Sequence, residues 1–257
     1  MTWPGLRLEE PKGVDGGDLL VLGHSLGTSA ALWDDALPAL RERFRVARWE
    51  VPGHGDAPAA TGAYRVEELT DALVARLDAR ATEAVHYAGV SIAGCVGLDL
   101  CLRHPERVIS VAVISSGARV DDPALMRARA DTARARGMRP FVESFRDRWF
   151  APTTPEATRE RLLGILGRTD AESYARAAEA LADFDVWDLV PRVRTPLLAV
   201  GGEADRSVPL DRSRELAARV PQAVVTAIPD AAHSLVAENP AALAAALTAF
   251  IDGSRPA

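Results

Sequence analysis

The chain predicts an α/β fold in which a mostly parallel, doubly wound sheet lies between two layers of helices and carries one helical insertion. Three observations lead there. Short runs rich in Val and Leu recur between turn residues, segments with helical periodicity separate several of them, and one long stretch past the middle breaks the alternation. With 257 residues, 48% of them hydrophobic, the chain is long enough to bury a sizeable core in one compact unit.

Taken in order, the strand-like runs are 18–23, 44–49, 84–90, 108–115, 196–201 and 223–228. They are largely continuous in apolar residues rather than alternating, which is the pattern of strands covered on both faces. Residues 6–9 and the turn-rich 12–17 are expected to add an N-terminal hairpin strand. Helical spacing over 66–80, 92–103, 210–219 and 241–250 supplies the covering layers. From 121 to 190 no strand pattern occurs, while 123–136, 141–149, 155–166 and 171–184 read as helices. The expected organisation is therefore a core of 1–120 and 191–257 with a cap of 121–190, inserted at the carboxyl ends of strands, where substrate sites gain their walls.

Composition narrows the function classes. The net charge is −6 and the charges are scattered, so no basic stripe offers the footprint that nucleic acid or an anionic membrane needs. No window approaches the roughly 18 apolar residues of a membrane span, and the N-terminus shows no basic segment followed by an apolar run. A soluble, cytoplasmic protein is expected. The five histidines lack metal-ligand spacing, and Cys95 and Cys101 read as buried small hydrophobes in one apolar helix. Neither a metal nor a cofactor is expected. Lys12 is the only lysine and sits in a turn-rich segment, which removes Schiff-base chemistry. The sequence carries no signal for oligomeric state.

The chemistry concentrates at three strand ends. The run 84–90 leads into Gly89-Val90-Ser91-Ile92-Ala93-Gly94 and then a helix, the context of a nucleophile elbow, although Ala93 stands where the second glycine of GxSxG falls. Small neighbours let the sharp turn project Ser91; the bland alternative is a serine that merely caps a helix. Asp205 follows the strand-like 196–200 and His233 follows 224–228, so Ser91, Asp205 and His233 can converge along the edge where strand carboxyl ends meet. In that arrangement His233 takes the Ser91 proton, and Asp205 holds the other imidazole nitrogen. Glu203 and Asp230 remain alternatives for the acid. Acyl transfer also needs oxyanion donors, assigned to the backbone N–H groups of Ile92 and Leu26, the latter in the loop Gly23-His24-Ser25-Leu26-Gly27-Thr28. His24 and Ser25 read as supports of that loop.

These motifs are similar to those of the α/β-hydrolases, and more narrowly the chain resembles the 3-oxoadipate enol-lactonases of aromatic breakdown. Ser25-Leu26-Gly27-Thr28 with Leu32-Trp33-Asp34 and the cap stretch Arg148-Trp149-Phe150 carry the narrower resemblance. Gly53-His54-Gly55, the elbow and His104-Pro105-Glu106-Arg107-Val108 complete it. Against the family pattern, Ala93 replaces a glycine, Glu50 an aspartate, and His24 a different polar residue. The resemblance implies ring opening of 3-oxoadipate enol-lactone, a small lactone with a free carboxylate, with Ser25, Trp33, Arg148 and Trp149 as the substrate-binding candidates, Arg148 on the carboxylate and Trp149 as an apolar wall; Arg148 could instead be a solvated helix residue and Trp33 a filler of the core. A carboxylesterase or carbon–carbon bond hydrolase with the same triad, and a noncatalytic receptor on the same fold, are the competing readings. A dehalogenase is disfavoured because it would place a carboxylate where Ser91 stands.

Overall fold

A computed structural model describes residues 5–254. Its single sheet has the order β1-β4-β3-β5-β6-β7-β8, with β2 also pairing β4. The strands are β1 (Arg7–Leu8), β2 (Lys12–Gly13), β3 (Leu19–Gly23), β4 (Arg45–Glu50), β5 (Val85–Val90), β6 (Val108–Ile114), β7 (Leu197–Gly202) and β8 (Ala223–Ile228). From β4 to β8 every neighbouring pair is parallel. The expected N-terminal hairpin does not form. β1 and β2 both run antiparallel to β4, with Leu8 opposite Trp49 and Lys12 opposite Val46, so one extended segment flanks β4 instead of folding back on itself.

Burial follows position in the sheet. β5 and β7 are buried at every residue, whereas β8 closes the sheet as an edge strand and leaves Val224 52% exposed. Helices α2 (Val66–Asp78), α3 (Ile92–Arg103), α8 (Leu210–Arg219) and α10 (Pro240–Gly253) cover the faces. α3 buries every residue from Ile92 to Cys101, as befits a helix between sheet and outer layer. Two short helices lacked enough periodicity to be read in advance: α1 (Leu37–Arg41) and α9 (Leu235–Glu238).

Between β6 and β7 lie the cap helices α4 (Pro123–Arg136), α5 (Arg139–Phe145), α6 (Glu156–Arg168) and α7 (Ala171–Asp183). α4 presents Ala130 and Ala133 to the alanines of α7, small faces that allow close packing. Arg134 pairs with Glu172 and Glu179, and Arg127 with Asp183, along the same seam. An isolated antiparallel bridge, Arg119 with Asp185, and the Val186 N–H bond to Ala118 O (2.9 Å) close the neck where the insertion leaves and rejoins the core. Among the described residues no helix is long and apolar enough to cross a membrane.

Candidate active site

β5 ends at Val90 and α3 begins at Ile92, so the chain must reverse within one residue, and Ser91 takes φ = 54°, a region that costs a non-glycine residue. Four hydrogen bonds hold it there. Ser91 N–H donates to Ile114 O (2.9 Å), and Ser91 O accepts from Gly94 N (2.8 Å), Cys95 N (3.2 Å) and Ser116 Oγ (2.7 Å). Gly89 is required by contact: a Cβ there would lie 2.2 Å from Ala93 O. The alanine at 93 has a matching absence across the sheet, since a Cβ on Gly23 would stand 2.5 Å from Ala93 Cβ. Gly23 therefore makes room for the methyl that departs from the glycine pattern.

His233 lies in the turn after β8, just ahead of α9, and Asp205 in the turn after β7. His233 Nδ1 is 2.9 Å from Asp205 Oδ2, while Asp205 Oδ1 accepts from the N–H groups of Ser207 (2.7 Å) and Val208 (2.9 Å). Both side chains are buried, whereas Glu203 and Asp230 are exposed. Burial works to raise the Asp205 carboxyl, but the His233 charge, its hydrogen bond and the two backbone donors outweigh that and hold it below the usual aspartate value. An ionised Asp205 fixes the His233 proton on Nδ1, leaving Nε2 as a proton acceptor.

The short helix that follows His233 carries a carboxyl pushed the other way. Glu238 accepts from Ala151 N (2.6 Å), Thr154 Oγ1 (2.6 Å) and Ala232 N (2.8 Å). Burial nevertheless holds it above its usual value against those donors, with the charge of Asp205 adding to the rise. It ties the residue before His233 to the segment leaving Trp149, and Ser234 N donates to Trp149 O (3.0 Å) beside it.

The loop after β3 is held from below. His24 Nε2 accepts from Val51 N (3.0 Å), so its proton sits on Nδ1, which donates to Ser25 O (2.8 Å). Burial, and then the nearby His54, lowers its pKa to about 3, so His24 is a neutral strut. Thr28 Oγ1 donates to the same carbonyl (2.7 Å), and Glu50 reaches the region by accepting from Ala30 N (3.2 Å). Among the described residues neither the Leu26 nor the Ile92 N–H donates a hydrogen bond, so both remain available for an oxyanion.

A cavity of about 190 Å³ joins these parts; Ser25, Leu26, Ser91 and His233 line its core side, and Arg148 and Trp149 its cap side. Trp149 stacks on Phe145 at 4.6 Å and lies 6.3 Å from the His233 ring. Trp33 does not line the cavity. It is fully buried, and its Nε1 donates to Gly23 O (3.1 Å), so the residue expected to touch substrate braces the end of β3 instead. The cavity also collects residues that sequence reasoning passed over: Ser115 and Ser116 at the end of β6, and Arg129, Phe145 and Tyr174 in the cap. The two serines follow a strand end, a usable signal; Arg129 sits in an arginine-rich helix where nothing in the pattern separates it from its solvated neighbours. No group of three or more His, Cys, Asp or Glu side chains able to hold a metal ion occurs among the described residues.

The pattern of the alpha/beta hydrolase family matches residues 19–246. The chain is 30% identical over 190 residues to 3-oxoadipate enol-lactonase 2 of Acinetobacter baylyi, covering 72% of this chain and 71% of that one. It is also 28% identical over 243 residues to the putative carbamate hydrolase RutD of Caulobacter sp. (strain K31), covering 91% and 90%. The crystal structure of the enol-lactonase from Burkholderia xenovorans LB400 superposes with a TM-score of 0.90 at 29% identity, over 97% of each chain. Because the family match runs through both halves of the sheet and the cap between them, this chain belongs to the α/β-hydrolase family.

Proposed function

We propose that the chain is a serine hydrolase that opens the enol-lactone of 3-oxoadipate, a small lactone bearing a free carboxylate. The observation that carries this reading is that the cavity shared by Ser91 and His233 also presents Arg148, which has no ion pair or side-chain hydrogen bond among the described residues. A cation left unpaired in a substrate cavity favours an anionic substrate. Similarity to the enol-lactonases supports the choice of lactone.

In this mechanism Ser91 Oγ attacks the lactone carbonyl while His233 Nε2 takes its proton, and Asp205 stabilises the imidazolium. The Ile92 and Leu26 N–H groups meet the oxyanion. Collapse of the tetrahedral adduct breaks the ring C–O bond; the expelled enolate takes the proton from His233 and becomes the ketone. Water, deprotonated by His233, then attacks the acyl-enzyme and releases 3-oxoadipate with Ser91 restored.

Similarity over nearly the full length to putative carbamate hydrolases favours a second reading, cleavage of a small carbamate or ester by the same triad. Following the ultraviolet absorbance of the enol-lactone with purified protein, beside Ser91→Ala, aryl esters and a carbamate, separates the two. Rapid Ser91-dependent loss of the lactone with weak cleavage of the others is the expected result. Ester or carbamate turnover alone would replace the lactone reading, and no turnover of any would point to a noncatalytic receptor.

A further inference from the structure

We propose that Arg129 and Tyr174 form a carboxylate subsite in the cap, and that this subsite, rather than Arg148 alone, selects acyl groups that carry a free carboxylate. The proposal rests on Ser91 being the nucleophile of the reading above and names the residues that choose its substrate.

Four arginines line the cavity, and they divide cleanly. Arg212 is paired with Asp121 and Glu215 (2.6 Å each), and Arg119 reaches Asp185 at 3.8 Å. Arg129 and Arg148 have no acidic partner among the described residues. The remaining cavity carboxylate, Asp122, is committed to capping α4 by accepting from Leu125 N (3.0 Å). Both are half-buried. The Arg129 guanidinium lies 5.2 Å from the Phe145 ring, and its hydrogen-bond contacts are Met126 Sδ at 3.9 Å, a weak acceptor, and the Tyr174 hydroxyl. Burial holds its pKa below the usual arginine value against the pull of Tyr174, and the charge of Arg148 adds to the lowering, so the cation has a like charge nearby and no counter-charge.

Tyr174 supplies an independent observation. It is fully buried, it lines the same cavity, and its hydroxyl finds no acceptor, since the Arg129 guanidinium beside it is itself a donor. A buried hydroxyl is rarely left without an acceptor. Burial raises its pKa to about 12, against the pull of Arg129, so it stays a neutral donor beside the guanidinium. A ligand carboxylate placed here accepts from both and supplies the counter-charge that Arg129 and Arg148 lack. Arg129 contacts Phe145, Phe145 stacks on Trp149, and Trp149 lies 6.3 Å from the His233 ring, so a chain of aromatic contacts links this subsite to the catalytic base. That arrangement fits a carboxylate carried at the far end of a short acyl chain, away from the scissile carbonyl.

The test compares 4-nitrophenyl hemiesters of succinate, glutarate and adipate with the uncharged 4-nitrophenyl butyrate and valerate, in wild type, Arg129→Met, Arg129→Lys, Tyr174→Phe and Arg148→Met. Wild type should prefer the hemiesters. Arg129→Met should lower kcat/KM for them by about 30-fold or more, chiefly through KM, with the neutral esters changed less than about twofold, while Arg129→Lys keeps part of the preference. Tyr174→Phe should cost several-fold on the hemiesters alone. In parallel, glutarate should raise the Tm of Ser91→Ala and fail to do so in the Ser91→Ala/Arg129→Met double variant, a readout that needs no turnover. Equal losses on charged and neutral esters would make Arg129 structural and overturn the subsite, as would preference lost in Arg148→Met but kept in Arg129→Met. The hydrolase reading fails separately, by absence of Ser91-dependent turnover and of fluorophosphonate labelling at Ser91.

Discussion

The two walls of the cavity are built on opposite principles. On the core side, functional groups are aimed at one another: Asp205 at His233, two backbone N–H groups at Asp205, Ser116 at the Ser91 carbonyl, and His24 at the loop that carries Leu26. On the cap side, Arg129, Arg148 and the Tyr174 hydroxyl have no strong acceptor within the protein. Preorganised dipoles suit the core wall, because in the proposed acyl transfer the charges develop there in the same place whatever the acyl group. Unsatisfied donors suit a wall whose counter-charge arrives with the ligand. In the proposed scheme chemistry and selection fall to different elements, strand-end loops for one and inserted helices for the other.

The strongest way to break this division is at the elbow. Ser91→Ala should lower kcat by about 10⁴-fold or more and abolish labelling by fluorophosphonates, while hemiester ground-state binding persists because the cap is untouched. Loss of glutarate binding in Ser91→Ala would show that the walls are not separable. Asp205→Asn follows, with an expected loss of about 10³–10⁴-fold in kcat and little change in KM, against changes within about twofold for Glu203→Gln and Asp230→Asn. If Asp205→Asn kept full activity, another group would have to be the acid. Stability carries the same signature with a definite sign. The folded-state pKa of Asp205 is depressed, so its contribution is fully present above the unfolded aspartate value, about 3.9, and is lost as pH falls through the lower folded value. Urea titrations across the acid range should therefore show a flatter acid limb for Asp205→Asn than for wild type.

The same division explains what could be read from the sequence. The core wall sits at strand ends, where Val- and Leu-rich runs mark the strands; that Ser91, Asp205 and His233 each follow a strand end was legible for that reason. The carboxyl at 205 was separable from 203 and 230 only with coordinates, because three acids near two turns look alike in one dimension. The cap wall depends on which face of a helix turns inward. α4 carries Arg127, Arg129, Arg134 and Arg136, and the placement of Ala130 and Ala133 against α7 is a tertiary fact that no local period announces. Trp33 misled for a related reason: an aromatic residue beside a functional loop can face the ligand or the sheet, and its N–H found Gly23 O. The hairpin at the N-terminus failed because turn residues mark a bend without choosing a partner, and β4 offered a free edge.

Where the two walls are joined, Glu238 takes three donors, one from the His233 loop and two from the segment that follows Trp149. Glu238→Gln replaces an acceptor with a donor and leaves at least one of those groups unmet. A loss of about 1–3 kcal/mol at neutral pH is expected by chemical denaturation. If stability were unchanged, the join would lie elsewhere, in the Ser234 N–H bond to Trp149 O.

The smallest effect tests the residue that changed sides. Trp33→Phe keeps a large ring in a fully buried position but removes the Nε1 donor to Gly23 O. The cost should be about 1 kcal/mol, a fall in Tm of roughly 2–4 °C for a chain of this size. Because the side chain does not line the cavity, KM for hemiesters and neutral esters alike should stay within about twofold of wild type. A modest fall in kcat is compatible with its place, since Gly23 leads into the loop that presents the Leu26 N–H, and a loosened loop would weaken an oxyanion donor without touching the bound acyl chain. A rise in KM confined to the hemiesters would mean that Trp33 reaches the ligand after all, and the core wall would then take part in selection.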